Sequence, residues 1–176
     1  MIRFSAFLAA ALAAVLPAAP ALAELPVGKS APAFSTQAAL AGKEFGFSLK
    51  EALKKGPVVL YFYPKAFTQG CTLEANAFAE TMPEFEKAGA SVIGMSNDDI
   101  ATLKRFSREE CRDAFPVGVA SAKVIADYDV KLGTTGLASR TSYVIAPDGR
   151  IVAVHSDSDY RGHVTETLAA VRALSK

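Results

Sequence analysis

Cys71 is the residue best placed to do chemistry. It closes the stretch Val58-Val-Leu-Tyr-Phe-Tyr-Pro-Lys-Ala-Phe-Thr-Gln-Gly-Cys71, in which an apolar run gives way to a short loop and then to a helical pattern. A cysteine at a helix start meets N–H groups that have no intrahelical partner and the positive end of the helix dipole, and both favour an ionised sulfur. The thiolate, not the thiol, is the nucleophile. The chain has one other cysteine, Cys111, and no CxxC pair or Cys/His spacing of the kind that holds zinc. Its two histidines lie late in the chain, His155 at a strand end and His163 at the start of the last helix. Neither is expected beside Cys71, so neither is given a catalytic or metal role.

The elements that must position Cys71 alternate between strand-like and helix-like runs, which predicts an α/β domain around a central sheet. Segments near Phe34 and near Phe45 to Phe47 flank Gly42-Lys43 and can pair as a hairpin, and Lys50 to Lys55 reads as a short helix. Val58 to Tyr63 has the composition of a strand buried on both faces. From Cys71 the period becomes helical: at 100° per residue, Ala75, Phe78, Met82 and Phe85 lie within about 40° of it. Pro83 is expected to break or kink that helix. A strand over Ser91 to Met95 follows, then a helix over roughly Asp98 to Asp113 that leaves Cys111 half hidden in its last turn. Val117 to Ala120, a short helix over Lys123 to Tyr128, and strands Ser142 to Ile145 and Arg150 to His155 around Pro147-Asp148-Gly149 complete the sheet. Arg161 to Ser175 closes the chain as a helix.

Met1 to Ala23 has the pattern of a cleavable export signal, with Arg3, an apolar run from Phe4 to Leu16 too short to cross a bilayer, and Ala21-Leu22-Ala23 at the expected cleavage site. A membrane anchor is the competing reading, but Pro17 and Pro20 interrupt the run. The expectation is one domain over residues 24–176 in a bacterial periplasm, without stable membrane association. Removing Arg3 from the 19 basic residues leaves 18 against 18 acidic ones. That balance offers no basic stripe for nucleic acid and no block of lysines and arginines for an anionic membrane.

The segment Pro64-Lys-Ala-Phe-Thr68-Gln-Gly-Cys71 matches the P-x-x-x-T/S-x-x-C signature and resembles the peroxiredoxins, proteins of thioredoxin-like fold. Thr72-Leu-Glu74-Ala after a Tyr-Phe-Tyr-Pro-Lys strand end is similar to the bacterioferritin-comigratory, or Q-type, subfamily. Gly28-Lys-Ser-Ala-Pro-Ala-Phe34, Val92-Ile-Gly-Met-Ser96 and Arg140-Thr-Ser-Tyr-Val-Ile-Ala-Pro-Asp-Gly149 fall in the family's order. The resemblance implies a central mixed sheet flanked by helices, with an N-terminal β-hairpin extension. It also implies a thiol peroxidase without cofactor or metal that reduces hydrogen peroxide and organic hydroperoxides. In it Cys71 is the peroxidatic nucleophile, Thr68 bonds the peroxide, Arg140 holds the sulfur and polarises the O–O bond, and Pro64 shields the pocket. Backbone N–H groups at Gly70 and Cys71 complete the cradle, and Glu74 braces Arg140 or the loop. For any thiol, lowering the pKa from ~8.5 to ~6 raises the ionised fraction at pH 7 only about 30-fold, so most of the acceleration must come from groups that orient and polarise the peroxide. Plainer readings stand beside these: Pro64 ending a strand, Thr68 capping a helix, Arg140 lying on the surface.

Position 76 is Asn, where many Q-type members carry a resolving cysteine, so the resemblance leaves Cys111 as the internal resolving thiol or makes the protein a one-cysteine enzyme with an inert Cys111. Gln69 and Ala66 also depart from the subfamily, which often has Pro and Asp there. A thioredoxin-fold disulfide reductase is a second reading that lacks its CxxC. A third is an exported non-enzymatic module in which a Cys71–Cys111 disulfide closes a loop of about 40 residues and contributes ~4 kcal/mol. The expected partners are a hydroperoxide and a thiol or thioredoxin-like reductant, and the resemblance favours a monomer.

Overall fold

The computed structural model describes residues 24–174; the expected signal segment 1–23 lies outside them. Twelve elements follow one another: β1 Ser35–Leu40, β2 Lys43–Ser48, α1 Leu49–Leu53, β3 Val58–Phe62, α2 Gln69–Lys87, β4 Ser91–Ser96, α3 Ile100–Glu109, β5 Val117–Val119, α4 Ala122–Asp127, β6 Thr141–Ile145, β7 Ile151–Ser156 and α5 Arg161–Leu174. The strands form one sheet in the order β2-β1-β5-β4-β3-β6-β7. Strands β3, β4 and β5 run parallel, which their α2 and α3 crossovers allow, while every other pairing is antiparallel. This is the mixed sheet with an N-terminal hairpin that the sequence implies. The hairpin turns at Ala41 and Gly42, both left-handed at φ 51° and 73°, as a two-residue connection requires.

Alternation along β3 explains why its run is apolar throughout. Val59 and Tyr61 enter a core with α2, α3 and α5, built on Phe78, Phe85, Phe106 and Val171. Val58, Leu60 and Phe62 enter a second core with α1 and α4, built on Ile93, Tyr128 and Tyr143. All five β3 residues are buried, so the strand that leads to Cys71 is clamped from both sides. In the first core the Tyr61 ring stacks on Phe78 at 4.4 Å and the Tyr63 ring on Phe106 at 5.5 Å.

Two expectations are corrected. Helix α2 runs unbroken past Pro83. The proline sits on the exposed side, while Phe78, Met82 and Phe85 anchor the helix on both sides of it. Helix α3 is shorter than its apolar pattern suggests. Asp99 caps it by accepting from the Thr102 N–H at 2.7 Å, and it ends at Glu109. Beyond it Arg112 and Asp113 are left-handed, at φ 52° and 59°, so Cys111 lies past the helix rather than in its last turn. It is also fully buried, not half hidden.

No helix among the described residues is long and apolar enough to cross a membrane. Packing on β3 also fixes Gly94 in β4, because a Cβ there would lie 2.6 Å from the Tyr61 ring and 2.7 Å from its hydroxyl. Tyr61 cannot retreat from its stack on Phe78. Gly94→Ala is therefore expected to cost about 1–3 kcal/mol in urea unfolding, as overpacking of a core does, with an unchanged m-value.

Candidate active site

The site begins where β3 leaves the core. Tyr63 still bonds β4, donating its N–H to the Met95 carbonyl, and the chain then turns through Pro64 to Thr68. Asp98, after β4, holds this loop: one carboxylate oxygen accepts from the Ala66 N–H and from the Ser96 hydroxyl, each at 2.8 Å. Phe67 adopts φ 63° and packs edge-on against Phe106, with the Arg105 guanidinium 5.0 Å above its ring. The loop is thus tied to the sheet and to α3 despite Ala66 and Gln69.

Thr68 occupies the N-cap position of α2 in backbone terms, but its side chain does not cap. Its hydroxyl donates to the Lys65 carbonyl at 3.0 Å, which leaves the oxygen lone pairs free. The first helical bond runs from the Thr72 N–H to the Thr68 carbonyl, so the N–H groups of Gly70 and Cys71 precede the intrahelical ladder. Cys71, third residue of the helix, is 2% exposed.

Arg140, just before β6, reaches this sulfur from the far side. One guanidinium nitrogen, Nη2, lies 3.4 Å from Cys71 Sγ, Nη1 donates to Glu74 Oε2, and Nε donates to the Ser158 carbonyl at 3.1 Å. Gly70 permits the approach, since a Cβ there would stand 3.1 Å from Nη2. Cys71, Arg140, Glu74 and the Gly70 backbone therefore meet in one place, with Pro64 and Thr68 on the loop that enters it. Glu74 braces Arg140 as expected, and it does so while fully buried. Burial pushes the Glu74 carboxyl up to about 8 against the pull of Arg140. Burial opposes the charge on Arg140, but Glu74 and Cys71 together hold it protonated more firmly than a free guanidinium.

Cys111 is a free thiol in the same core as Cys71, and burial, then Glu110, pushes it well up. Its segment is fastened to α2: Asn76 donates to Glu110 at 3.2 Å and to the Thr72 carbonyl at 2.7 Å, and Arg112 pairs with Glu80 at 3.0 Å. Its own N–H donates to the Phe106 carbonyl at 3.0 Å. Both cysteines adjoin the aromatic floor, where burial and then Cys111 raise the Tyr61 and Tyr63 phenols.

The sequence sets neither histidine beside Cys71, but it does not show that His163 approaches Glu74. Its Nδ1 lies 3.9 Å from Glu74 Oε1, although it makes no contact with Cys71. Chain distance hid this, because α5 folds back over α2 only in three dimensions. Asp98, Ser142 and Ser158 were also missed, since no motif marks them, whereas Gly70 was named for its backbone N–H but not for the room it gives Arg140. Among the described residues no group of three or more His, Cys, Asp or Glu could hold a metal ion.

Residues 27–154 match the AhpC/TSA family. A solved structure of the peroxidoxin BcpB of Mycobacterium tuberculosis superposes with a TM-score of 0.76 at 33% identity, covering 84% of this chain and 97% of that one. Peroxiredoxin Bcp of Xanthomonas campestris is 33% identical over 126 residues, 68% of this chain and 78% of its own length. The structure of the bacterioferritin comigratory protein of Xanthomonas campestris, solved in connection with its alkyl peroxide reduction, gives a TM-score of 0.69 at 30% identity over 80% of this chain and 92% of that one.

Two buried groups give the stability a pH signature. Glu74, raised from 4.5 to about 8, binds more protons folded than unfolded, so its contribution falls as pH rises through that window. Burial lowers His163 from 6.5 to about 4, so it binds fewer protons folded, and its contribution grows as pH rises between those values. The two oppose one another up to about pH 6.5, and above it Glu74 acts alone. The melting temperature of the reduced protein is expected to decline from about pH 6.5 to 8, and Glu74→Gln to flatten that decline.

Proposed function

The chain belongs to the AhpC/TSA family and is a thiol-dependent peroxidase, and from that premise we propose that Cys71 is its peroxidatic nucleophile. The observation that carries this reading is the Arg140 guanidinium, which lies against Cys71 Sγ and is locked from behind by Glu74 and the Ser158 carbonyl. A fixed cation beside the sulfur stabilises the thiolate and then the charge that grows on the departing oxygen.

In this reading the Cys71 thiolate attacks the terminal oxygen of a hydroperoxide. An S–O bond forms, the O–O bond breaks, and the leaving oxygen takes a proton to become water or an alcohol, leaving a sulfenic acid. The Thr68 oxygen, with its proton committed to Lys65, accepts from the peroxide O–H. The N–H groups of Gly70 and Cys71 face the reacting oxygens, and Pro64, which has no N–H, covers the pocket edge. Hydrogen peroxide fits so enclosed a sulfur, and organic hydroperoxides are the second substrate class, in keeping with the alkyl peroxide reduction of the Xanthomonas relative.

Cys111 is the internal resolving thiol. Its sulfur attacks the sulfenic acid, forming a disulfide and releasing water. The α-carbons must come within ~7 Å, so the fastenings at Asn76–Glu110 and Arg112–Glu80 must open with the start of α2. The strained pair Arg112–Asp113 makes the Cys111 segment the readier one to move. A thiol or thioredoxin-like reductant then restores both thiols. The protein works as a monomer in the periplasm after loss of residues 1–23, and its reductant is one kept available in an oxidising compartment.

Stopped-flow mixing of the reduced protein with hydrogen peroxide is expected to consume about one equivalent in a fast phase that Cys71→Ser abolishes and Cys111→Ser retains. Equal slow reaction of wild type and Cys71→Ser would overturn the assignment. Mass spectrometry after one equivalent of peroxide is expected to find an intramolecular disulfide in wild type and a sulfenic acid in Cys111→Ser. A wild-type sulfenic acid that persists would make this a one-cysteine enzyme. Gly70→Ala, which pushes on Arg140 Nη2, is expected to slow the fast phase about tenfold, or ~1.4 kcal/mol, with little change in melting temperature.

A further inference from the structure

The segments that carry the two cysteines are joined by a side chain that hydrogen-bonds to neither sulfur. Asn76, on α2, donates from its amide nitrogen to two acceptors, the Thr72 carbonyl at 2.7 Å and the Glu110 carboxylate at 3.2 Å. Thr72 is the residue after Cys71, and Glu110 is the residue before Cys111. The nitrogen carries two hydrogens, so it serves both acceptors at once. Its orientation is fixed as well, because a turned amide would set its oxygen against a carbonyl and a carboxylate. One NH2 group therefore ties the first turn of α2 to the segment of the second thiol.

The other fastenings of that segment differ in kind. Toward α3 it is held by backbone: the Cys111 N–H donates to the Phe106 carbonyl and the Asp113 N–H to the Ser107 carbonyl, each at 3.0 Å. Neither bond reaches α2. The Arg112–Glu80 pair does reach α2, but its side chains are 50% and 65% exposed, where an ion pair is screened and contributes little. The Asn76–Glu110 bond is partly buried and ends on a carboxylate, so it is the stronger tie. Against these ties stands the left-handed backbone of Arg112 and Asp113, which relaxes once the segment opens.

We propose that Asn76 is a latch between the two cysteines, a positioning residue whose amide keeps Cys111 in the core until the first turn of α2 unwinds and so sets the lifetime of the Cys71 sulfenic acid. Unwinding carries the Thr72 carbonyl away, and the amide, no longer aimed at Glu110, regains its rotamers and lets the segment go. The Cys111 sulfur then bonds the Cys71 sulfur, the S–O bond breaks, and the hydroxyl leaves with the thiol proton as water. While the latch holds, a second hydroperoxide can instead transfer its terminal oxygen to the sulfenic sulfur, giving a sulfinic acid and water or an alcohol. Latch strength divides the sulfenic acid between these fates. Glu110 adds to the restraint, since after burial it is the next cause that holds the Cys111 thiol protonated. The inference rests on Cys111 being the resolving thiol.

The test is rapid mixing of the reduced protein with hydrogen peroxide, acid quenching and mass spectrometry, which give the rates of sulfenic acid and of disulfide formation in one sample. Asn76→Asp keeps the volume but turns a carboxylate toward both acceptors. It is expected to raise the ratio of disulfide rate to sulfenic rate about tenfold, the size of one hydrogen bond to a charged group, and to raise the peroxide concentration that yields sulfinic acid by a like factor. Adding Glu110→Gln to Asn76→Asp restores the bond with donor and acceptor exchanged, and is expected to recover most of the wild-type ratio. A double variant faster than Asn76→Asp alone would show that Glu110 acts through its charge and would overturn the latch. Glu80→Gln is expected to change the ratio less than about twofold. Should Asn76→Asp not fold, Asn76→Ser, too short to reach Glu110, decides by the same ratio. An unchanged ratio, or an equal gain from Glu80→Gln, also overturns the proposal. A wild-type protein that forms no Cys71–Cys111 disulfide would instead refute the role of Cys111.

Discussion

One guanidinium shared between a buried sulfur and a buried carboxyl organises this protein. Arg140 satisfies Glu74, reaches Cys71 and is tied by its third nitrogen to the chain that follows β7. Removing one of these groups leaves a buried polar partner unsatisfied, which typically costs about 1–3 kcal/mol. Glu74, Arg140 and the sulfur therefore form one unit, and the elements that carry them must hold their spacing. The end of β3, the start of α2, the approach to β6 and the start of α5 converge on the same few ångströms.

The sheet supplies the necessary stiffness. Because β3 is buried on both faces, the loop that leaves it starts from a fixed point, and Asp98 fixes it a second time from the end of β4. Gly70 and Gly94 are the places where side-chain volume would spoil this, one against Arg140 and the other against the Tyr61 ring. The Cys111 segment has the opposite character: it is held by polar contacts to α2 and leaves its helix through two left-handed residues. Rigidity at Cys71 and releasability at Cys111 are the combination that the proposed cycle of oxidation and disulfide formation asks for.

Much of this was legible in the amino-acid sequence. The change of period at Cys71, the apolar run of β3 and the spacing of Pro64, Thr68 and Cys71 are local properties, and they determined the strand, the loop, the helix start and the family. Glu74 was legible as a brace because it lies one helical turn from Cys71. The continuity of α2 through Pro83 and the early end of α3 were not, since each depends on which side of the helix meets water or core. Only the tertiary structure decided the rest: that Cys111 is wholly buried behind Asn76 and Arg112, that Asp98 and Gly70 serve the loop and the arginine, and that His163 stands behind Glu74. Those relations join residues tens of positions apart, and local periodicity carries no information about which distant side chain fills a given space. A buried acid's charge is set by what encloses it, and that enclosure exists only once α5 has packed on α2.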